Sequence, residues 1–199
     1  MTEHGAIAEC LGDLHRIATD EGGVEFKGIV RLLQQPNPVF TELIALSRQD
    51  TAKPYGRQVL LETDALEVMV AAWTPGVPCA PHDHGGSSGA VRVLQGRALH
   101  RVWSVTDGRL QLVREERVEP GSIMACGPSL IHSMSDDGDE FPLITLHMYT
   151  NSIDHMIVFD EAHHQTLVVE GSCGAWVPHD EPNMIRSTHT GIVSPDSIR

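Results

Sequence analysis

No run of about 18 consecutive apolar residues occurs anywhere in this sequence, which argues against a membrane-spanning helix. Its start, MTEHGAIAEC, carries two acids and no long apolar stretch, so no export leader is expected and a cytoplasmic location is. Basic residues are scarce as well: 14 Lys and Arg stand against 27 Asp and Glu, a formal net charge of −13 with His neutral. Such a surface repels a phosphate backbone or an anionic bilayer, so nucleic acid and membrane are not expected as partners and a small molecule is. Cysteine is sparse and scattered. Cys10, Cys79, Cys126 and Cys173 include no CxxC pair, which speaks against a disulfide framework or a zinc ribbon and for reduced thiols. Internal repeats and low-complexity tracts are missing too. What is left is ordinary for one soluble globular domain, 199 residues with 41% apolar and 21% charged side chains.

Hydrophobic spacing divides the chain. Residues 5 to 19 set Ile7, Leu11, Leu14 and Ala18 at helical intervals, FKGIVRLLQQ continues in that style, and Pro36 and Pro38 interrupt before a short helix at TELIALSR. From RQVLLETDALEVMVAAWTPG onward the pattern changes to short β-rich runs: LEVMVAAW, AVRVLQG, ALHRVWSV, LQLVREERV, SIMAC, FPLITLHMY, HMIVF and TLVVEG. TDG at 106 to 108 carries the Asp-Gly of a tight hairpin turn. Strands at roughly ten-residue spacing without intervening helices predict a mainly all-β fold, an antiparallel sandwich or barrel of the jelly-roll kind. The expected division is a single domain: a helical segment over 1–50, a β-barrel over 56–170 and a C-terminal extension over 171–199. The end of that extension, VPHDEPNMIRSTHTGIVSPDSIR, reads as irregular chain that wraps the barrel or is loosely ordered.

One stretch carries chemistry. APHDHGGSSGAVRVLQG, residues 80 to 96, places His82 and His84 two positions apart, on one side of an extended run, so both imidazoles can be aimed at one point. Gly76 stands six residues before His82 and Gly96 twelve after His84. This reproduces the first cupin motif, G(X)5HXH(X)4E(X)6G, except for the acid, where the chain has Gly89. The second cupin motif, G(X)5PXG(X)2H(X)3N, lies on GSIMACGPSLIHSMSD with Gly121 first and His132 in the histidine slot. There Gly127, Ser129 and Asp136 replace Pro, Gly and Asn. Three neutral histidines leave a divalent ion its full charge and, in an octahedral arrangement, three adjacent open positions. That suits iron(II) taking a thiolate, an amine and dioxygen, whereas tetrahedral three-His zinc keeps one water; spacing does not choose between them. The missing acid and the small residues behind His84 are expected to give a chelating ligand room. His4, His15, His155, His163, His164, His179 and His189 have no such frame and read as surface or tail residues, and His100 is undecided.

Together with PYGRQ (54 to 58), SLIHSMS (129 to 135) and TLHMY (145 to 149), the stretch from His82 to Gly96 resembles the bacterial type I cysteine dioxygenases, non-haem iron thiol dioxygenases of the cupin superfamily. The resemblance implies that His82, His84 and His132 hold Fe(2+), that Arg57 pairs with the substrate carboxylate and that Tyr55 lines the pocket. Thr145, His147 and Tyr149, on one strand face, resemble the family's Ser-His-Tyr chain, with Thr keeping the hydroxyl. It also implies conversion of L-cysteine and O2 to cysteine sulfinic acid by a monomer or weak homo-oligomer. Animal members join a cysteine at the position of Gly89 to the tyrosine; bacterial relatives usually carry Gly, and no such link can form through residue 89. Relatives that oxidise 3-mercaptopropionate tend to have Gln where Arg57 stands; here Gln58 is next along and should face away, so L-cysteine is favoured. A cupin isomerase or hydrolase using zinc or manganese, and a metal-free ligand-binding cupin, are the other readings.

Overall fold

The computed structural model describes residues 8, 9, 11, 12, 25–138 and 140–198. Of the helix expected over 5 to 19, Ala8, Glu9, Leu11 and Gly12 are helical and the remainder lies outside the described residues. Two helices follow, α1 (Phe26–Gln34) and α2 (Val39–Leu46). Gln35, ahead of Pro36, is already extended with ψ 136°, as a residue before proline prefers. Asn37 Oδ1 accepts the Val39 N–H at 3.0 Å and so satisfies one of the free donors opening α2. Among the described residues no helix is long and apolar enough to cross a membrane.

Eleven strands carry the rest: β1 (Tyr55–Glu62), β2 (Glu67–Trp73), β3 (Gly89–Gln95), β4 (Ala98–Thr106), β5 (Arg109–Val118), β6 (Ile123–Cys126), β7 (Ile131–Asp136), β8 (Ile144–Tyr149), β9 (His155–Asp160), β10 (Gln165–Glu170) and β11 (Ile185–Thr190). They pair antiparallel in three ladders, β1-β2-β8-β3-β6, β5-β4-β7 and β11-β10-β9. The two three-stranded ladders meet across one residue, His82, which bridges His132 of β7 and Val158 of β9. The strands therefore form open sheets and not the closed barrel expected, because the seam at His82 consists of single bridges. The β4–β5 turn is as predicted: Asp107 and Gly108 both take positive φ, 50° and 69°, the twist that a two-residue hairpin needs.

Strand alternation sorts the core into two compartments. Val68, Val70, Ile144, Leu146 and Met148 face Ile29, Leu33, Val39 and Leu43 of the helices. Met69, Ala71, Trp73, Val91 and Val93 face inward, toward Met134, Met156, Val158 and Leu167 of the other ladders. Thr145, His147 and Tyr149 share this inner face with them. Two strands went unread in the sequence. β7 (IHSMSD) is more polar than apolar yet buried throughout. β11 lies in the tail expected to be irregular, and its polar IRSTHT is mostly exposed, an edge strand held by backbone pairing to the buried β10.

Candidate metal centre and pocket

His82, His84 and His132 converge from two parts of the chain, each offering one ligand atom, all within 4.8 Å of one another and all buried. The expected β-run does not supply the first two. His82 makes an isolated bridge and His84 stands just ahead of the turn at Gly85 and Gly86. Aim comes instead from reciprocal hydrogen bonds, His82 N–H to His132 O at 2.9 Å and His132 N–H to His82 O at 3.0 Å. Asp83, between the two histidines, points away and accepts the N–H groups of Ile157 at 2.8 Å and Gly85 at 3.1 Å, pinning the turn to β9.

Behind His84, Gly85 and Gly89 permit close approach and leave no room for a side chain, whereas the exposed Gly86 has nothing within 4 Å of where its Cβ would stand. At Gly85 (φ +61°) a Cβ would stand 2.0 Å from the His155 carbonyl oxygen. At Gly89 it would meet Tyr149 Cδ1 at 2.3 Å, so the Tyr149 ring fills the place where the frame's acid would project. The expectation of spare volume there is corrected accordingly.

His84 Nε2 and His132 Nε2 lie 3.1 Å apart. Burial, reinforced by the neighbouring histidines, holds both imidazoles far below their ordinary pKa, so both are neutral. On His132 the Nδ1 faces His100 Nε2 at 3.0 Å, and on His82 the Nδ1 donates to Ala80 O at 2.9 Å. These contacts turn the Nε2 lone pairs inward. Facing lone pairs repel unless a cation lies between them, and two nitrogens bound at right angles to one ion with bonds of about 2.1 Å would sit about 3.0 Å apart. The donor set therefore fits a divalent metal. Burial pushes the Cys79 and Cys126 thiols up to about 12, so neither competes as a thiolate.

Keeping these imidazoles neutral has a stability consequence. Burial lowers His147 to about 3, and His82, His84, His100 and His132 are lowered too. The unfolded chain binds these protons near pH 6.5 and the folded one does not, so stability is full above that pH and is lost as pH falls below it. The unfolding free energy of metal-free protein, read from urea titrations, should drop between pH 6.5 and pH 5 at no less than about 1.4 kcal/mol per pH unit, and the midpoint with it. A midpoint flat over that window would contradict neutral histidines.

Arg57, Glu67 and Tyr149 line the same cavity as the three histidines. Arg57 is not waiting empty-handed: its Nη2 pairs with Glu67 Oε1 at 2.6 Å, Nη1 donates to Gly171 O at 3.0 Å and Nε to Met69 Sδ at 3.2 Å. Glu67 is 1% exposed, and its other oxygen accepts the Ile153 N–H at 3.1 Å. Three of five guanidinium N–H groups are thus engaged. Sequence reading missed Glu67; the available signal was a lone acid opening the otherwise apolar run EVMVAAW. Gln58 faces away, its Oε1 accepting the Arg48 N–H at 2.8 Å, as strand alternation predicted. Tyr55 stands in the wall, its hydroxyl accepting the Ala175 N–H at 2.9 Å and its ring 4.8 Å from that of Trp73.

The structure brings Thr145, His147 and Tyr149 into one line: Thr145 Oγ1 to His147 Nε2 is 2.8 Å, and His147 Nδ1 to Tyr149 Oη is 3.1 Å. Trp73, whose indole N–H can only donate, occupies one lone pair of Thr145 Oγ1 at 2.9 Å, and among the described residues His147 Nε2 is the acceptor within reach of the buried Thr145 hydroxyl proton, which sets the direction. Thr145 spends its proton on Nε2, so Nδ1 carries the imidazole proton and donates to Tyr149. The phenol, kept protonated by burial, has its own O–H free to donate into the cavity. His155, His163, His164, His179 and His189 stay out of the histidine group, while His4 and His15 lie outside the described residues.

A family profile described as "Cysteine dioxygenase type I" matches residues 24–162. Among solved structures, a conserved protein with a double-stranded β-helix domain from Klebsiella pneumoniae subsp. pneumoniae is 19% identical with TM-score 0.50, over 60% of this chain and 95% of that one. A cupin superfamily protein from Desulfitobacterium hafniense is 14% identical with TM-score 0.43, over 59% of this chain and 91% of its own. At such identities the first of these likenesses speaks to fold alone, a double-stranded β-helix, and the second adds no argument.

Proposed function

The chain belongs to the type I cysteine dioxygenase family, a group of cupin-fold thiol dioxygenases, and on that premise we propose that it converts L-cysteine and O2 to cysteine sulfinic acid at an Fe(2+) held by His82, His84 and His132. The observation that carries the reading is one cavity in which three buried neutral imidazoles stand with a guanidinium and a phenol O–H. When bound, iron(II) supplies the activation of dioxygen and holds the thiol as its thiolate. The residues do the rest. Arg57 presents its remaining N–H groups to the substrate carboxylate, a planar match that fixes the amino acid's orientation. Tyr149 donates its O–H to the reacting groups, and His147, steered by Thr145, holds that hydroxyl in place. Tyr55, Trp73 and the backbone at Ala175 close one wall against water. Both oxygen atoms end on sulfur, so thiol and dioxygen balance the sulfinic acid with no outside reductant.

Glu67 favours a second reading within the same chemistry. Already paired with Arg57, it would sit beside an incoming carboxylate, and a thiol lacking one, such as cysteamine, would leave the Arg57–Glu67 pair undisturbed. Oxygen uptake by iron-loaded protein, compared across L-cysteine, 3-mercaptopropionate, cysteamine and mercaptosuccinate, tests the assignment. L-cysteine should give the highest kcat/KM. A faster reaction with cysteamine or 3-mercaptopropionate would overturn cysteine as the substrate.

A further inference from the structure

The third histidine is held differently from the other two, and the strands explain how. β4 lies between β5 and β7. His100 is opposite Glu116 in the β4–β5 register and opposite Met134 in the β4–β7 register, two positions along from Val102, which faces His132. His100 therefore reaches Glu116 directly across one strand pair and His132 diagonally across the other. The contacts are His132 Nδ1 to His100 Nε2 at 3.0 Å and His100 Nδ1 to Glu116 Oε1 at 3.0 Å. His100 is 1% exposed while Glu116 is 38% exposed, so the line runs from a surface carboxylate to the buried centre.

We infer that Glu116, through His100, selects the tautomer of His132 and makes it the strongest of the three metal donors. A carboxylate can only accept, so it takes the Nδ1–H of His100. The neutral His100 ring then has only an acceptor at Nε2, which takes the Nδ1–H of His132. The Nε2 of His132 is left as a bare lone pair aimed at His84. Remove the carboxylate and the line can reverse: His100 donates from Nε2, His132 accepts at Nδ1, and the His132 proton moves to the nitrogen that should bind metal. The other two histidines lack such a partner. His82 has a neutral carbonyl, Ala80 O, and His84 Nδ1 has no hydrogen-bond partner among the described residues. Glu116 and His100 are positioning residues, since neither touches the metal position.

Anaerobic titration with cobalt(II) against a competing chelator, read with the visible spectrum of the bound ion, tests this without any turnover. Glu116→Leu, which leaves His100 Nδ1 no acceptor, should bind cobalt about 10-fold more weakly, and His100→Phe about 10- to 100-fold, each with shifted cobalt bands; Glu116→Gln keeps an acceptor oxygen and should lose less. The Glu116 side chain is 38% exposed, so Glu116→Leu decides the matter even if His100→Phe does not fold. Glu115→Leu is the control, an exposed neighbour paired to Arg101 at 2.7 Å, and should stay within about twofold, the scale of one screened surface charge. Parent-like affinity and spectrum in Glu116→Leu, or an equal loss in Glu115→Leu, would overturn the inference. It rests on His132 being a metal ligand: a parent protein that bound no cobalt would overturn both, whereas tight parent binding with unchanged variants would overturn this inference alone.

Discussion

His84→Ala should lose metal binding by more than about 100-fold, since disturbing even the outer partners of a ligand costs about 10- to 100-fold, and thiol-dependent oxygen uptake should vanish with it. The same substitution should leave metal-free protein nearly as stable as before. His84 Nδ1 is buried with no hydrogen-bond partner among the described residues, and its Nε2 faces the lone pair of His132 at 3.1 Å. Removing an unsatisfied polar group recovers about 1–3 kcal/mol, which offsets much of the cavity left by the ring. Metal content and the urea midpoint of the apo form therefore move apart. A histidine that merely filled the core would behave the other way, with stability falling and metal content of no relevance.

Arg57 should separate binding from metal retention. Truncating it to alanine removes the guanidinium that would hold the substrate carboxylate, a loss of about 2–5 kcal/mol and so a KM for L-cysteine raised roughly 30-fold or more. Metal affinity should be untouched, because no hydrogen bond joins Arg57 to the three histidines. The variant has a confounding cost: Glu67, 1% exposed, would be left as a buried unpaired carboxylate, which destabilises by about 3–5 kcal/mol. Arg57→Ala combined with Glu67→Gln removes that charge and isolates the effect on binding. Cysteamine, which has no carboxylate, should be oxidised by the double variant with little change in KM. An unchanged cysteine requirement would remove Arg57 from the substrate site.

How far the sequence reached depends on whether a feature is local. Period-two alternation made most strands readable, and the same alternation in TLHMY placed Thr145, His147 and Tyr149 on one face. Fixed intervals around Gly76, Gly96 and Gly121 pointed to His82, His84 and His132, whose ligand atoms the fold gathers within 4.8 Å. What escaped depends on pairing between strands distant in sequence. That Glu67 would meet Arg57 follows only once β1 and β2 are laid side by side, and His100 gains meaning only from lying between β5 and β7. Gly89 could be read as an absent acid but not as the seat of the Tyr149 ring, because that contact crosses from β3 to β8. β11 escaped because an exposed edge strand buries too little to leave an apolar pattern.

The central claim, dioxygenation of a thiol, is tested most directly by isotope. Protein loaded anaerobically with iron(II), mixed with L-cysteine and then exposed to oxygen-18 dioxygen, should consume one O2 per cysteine and yield cysteine sulfinic acid carrying both labelled atoms. Absence of cysteine-dependent oxygen uptake by the iron-loaded protein, or a sulfinic acid whose oxygens come from water, would contradict it.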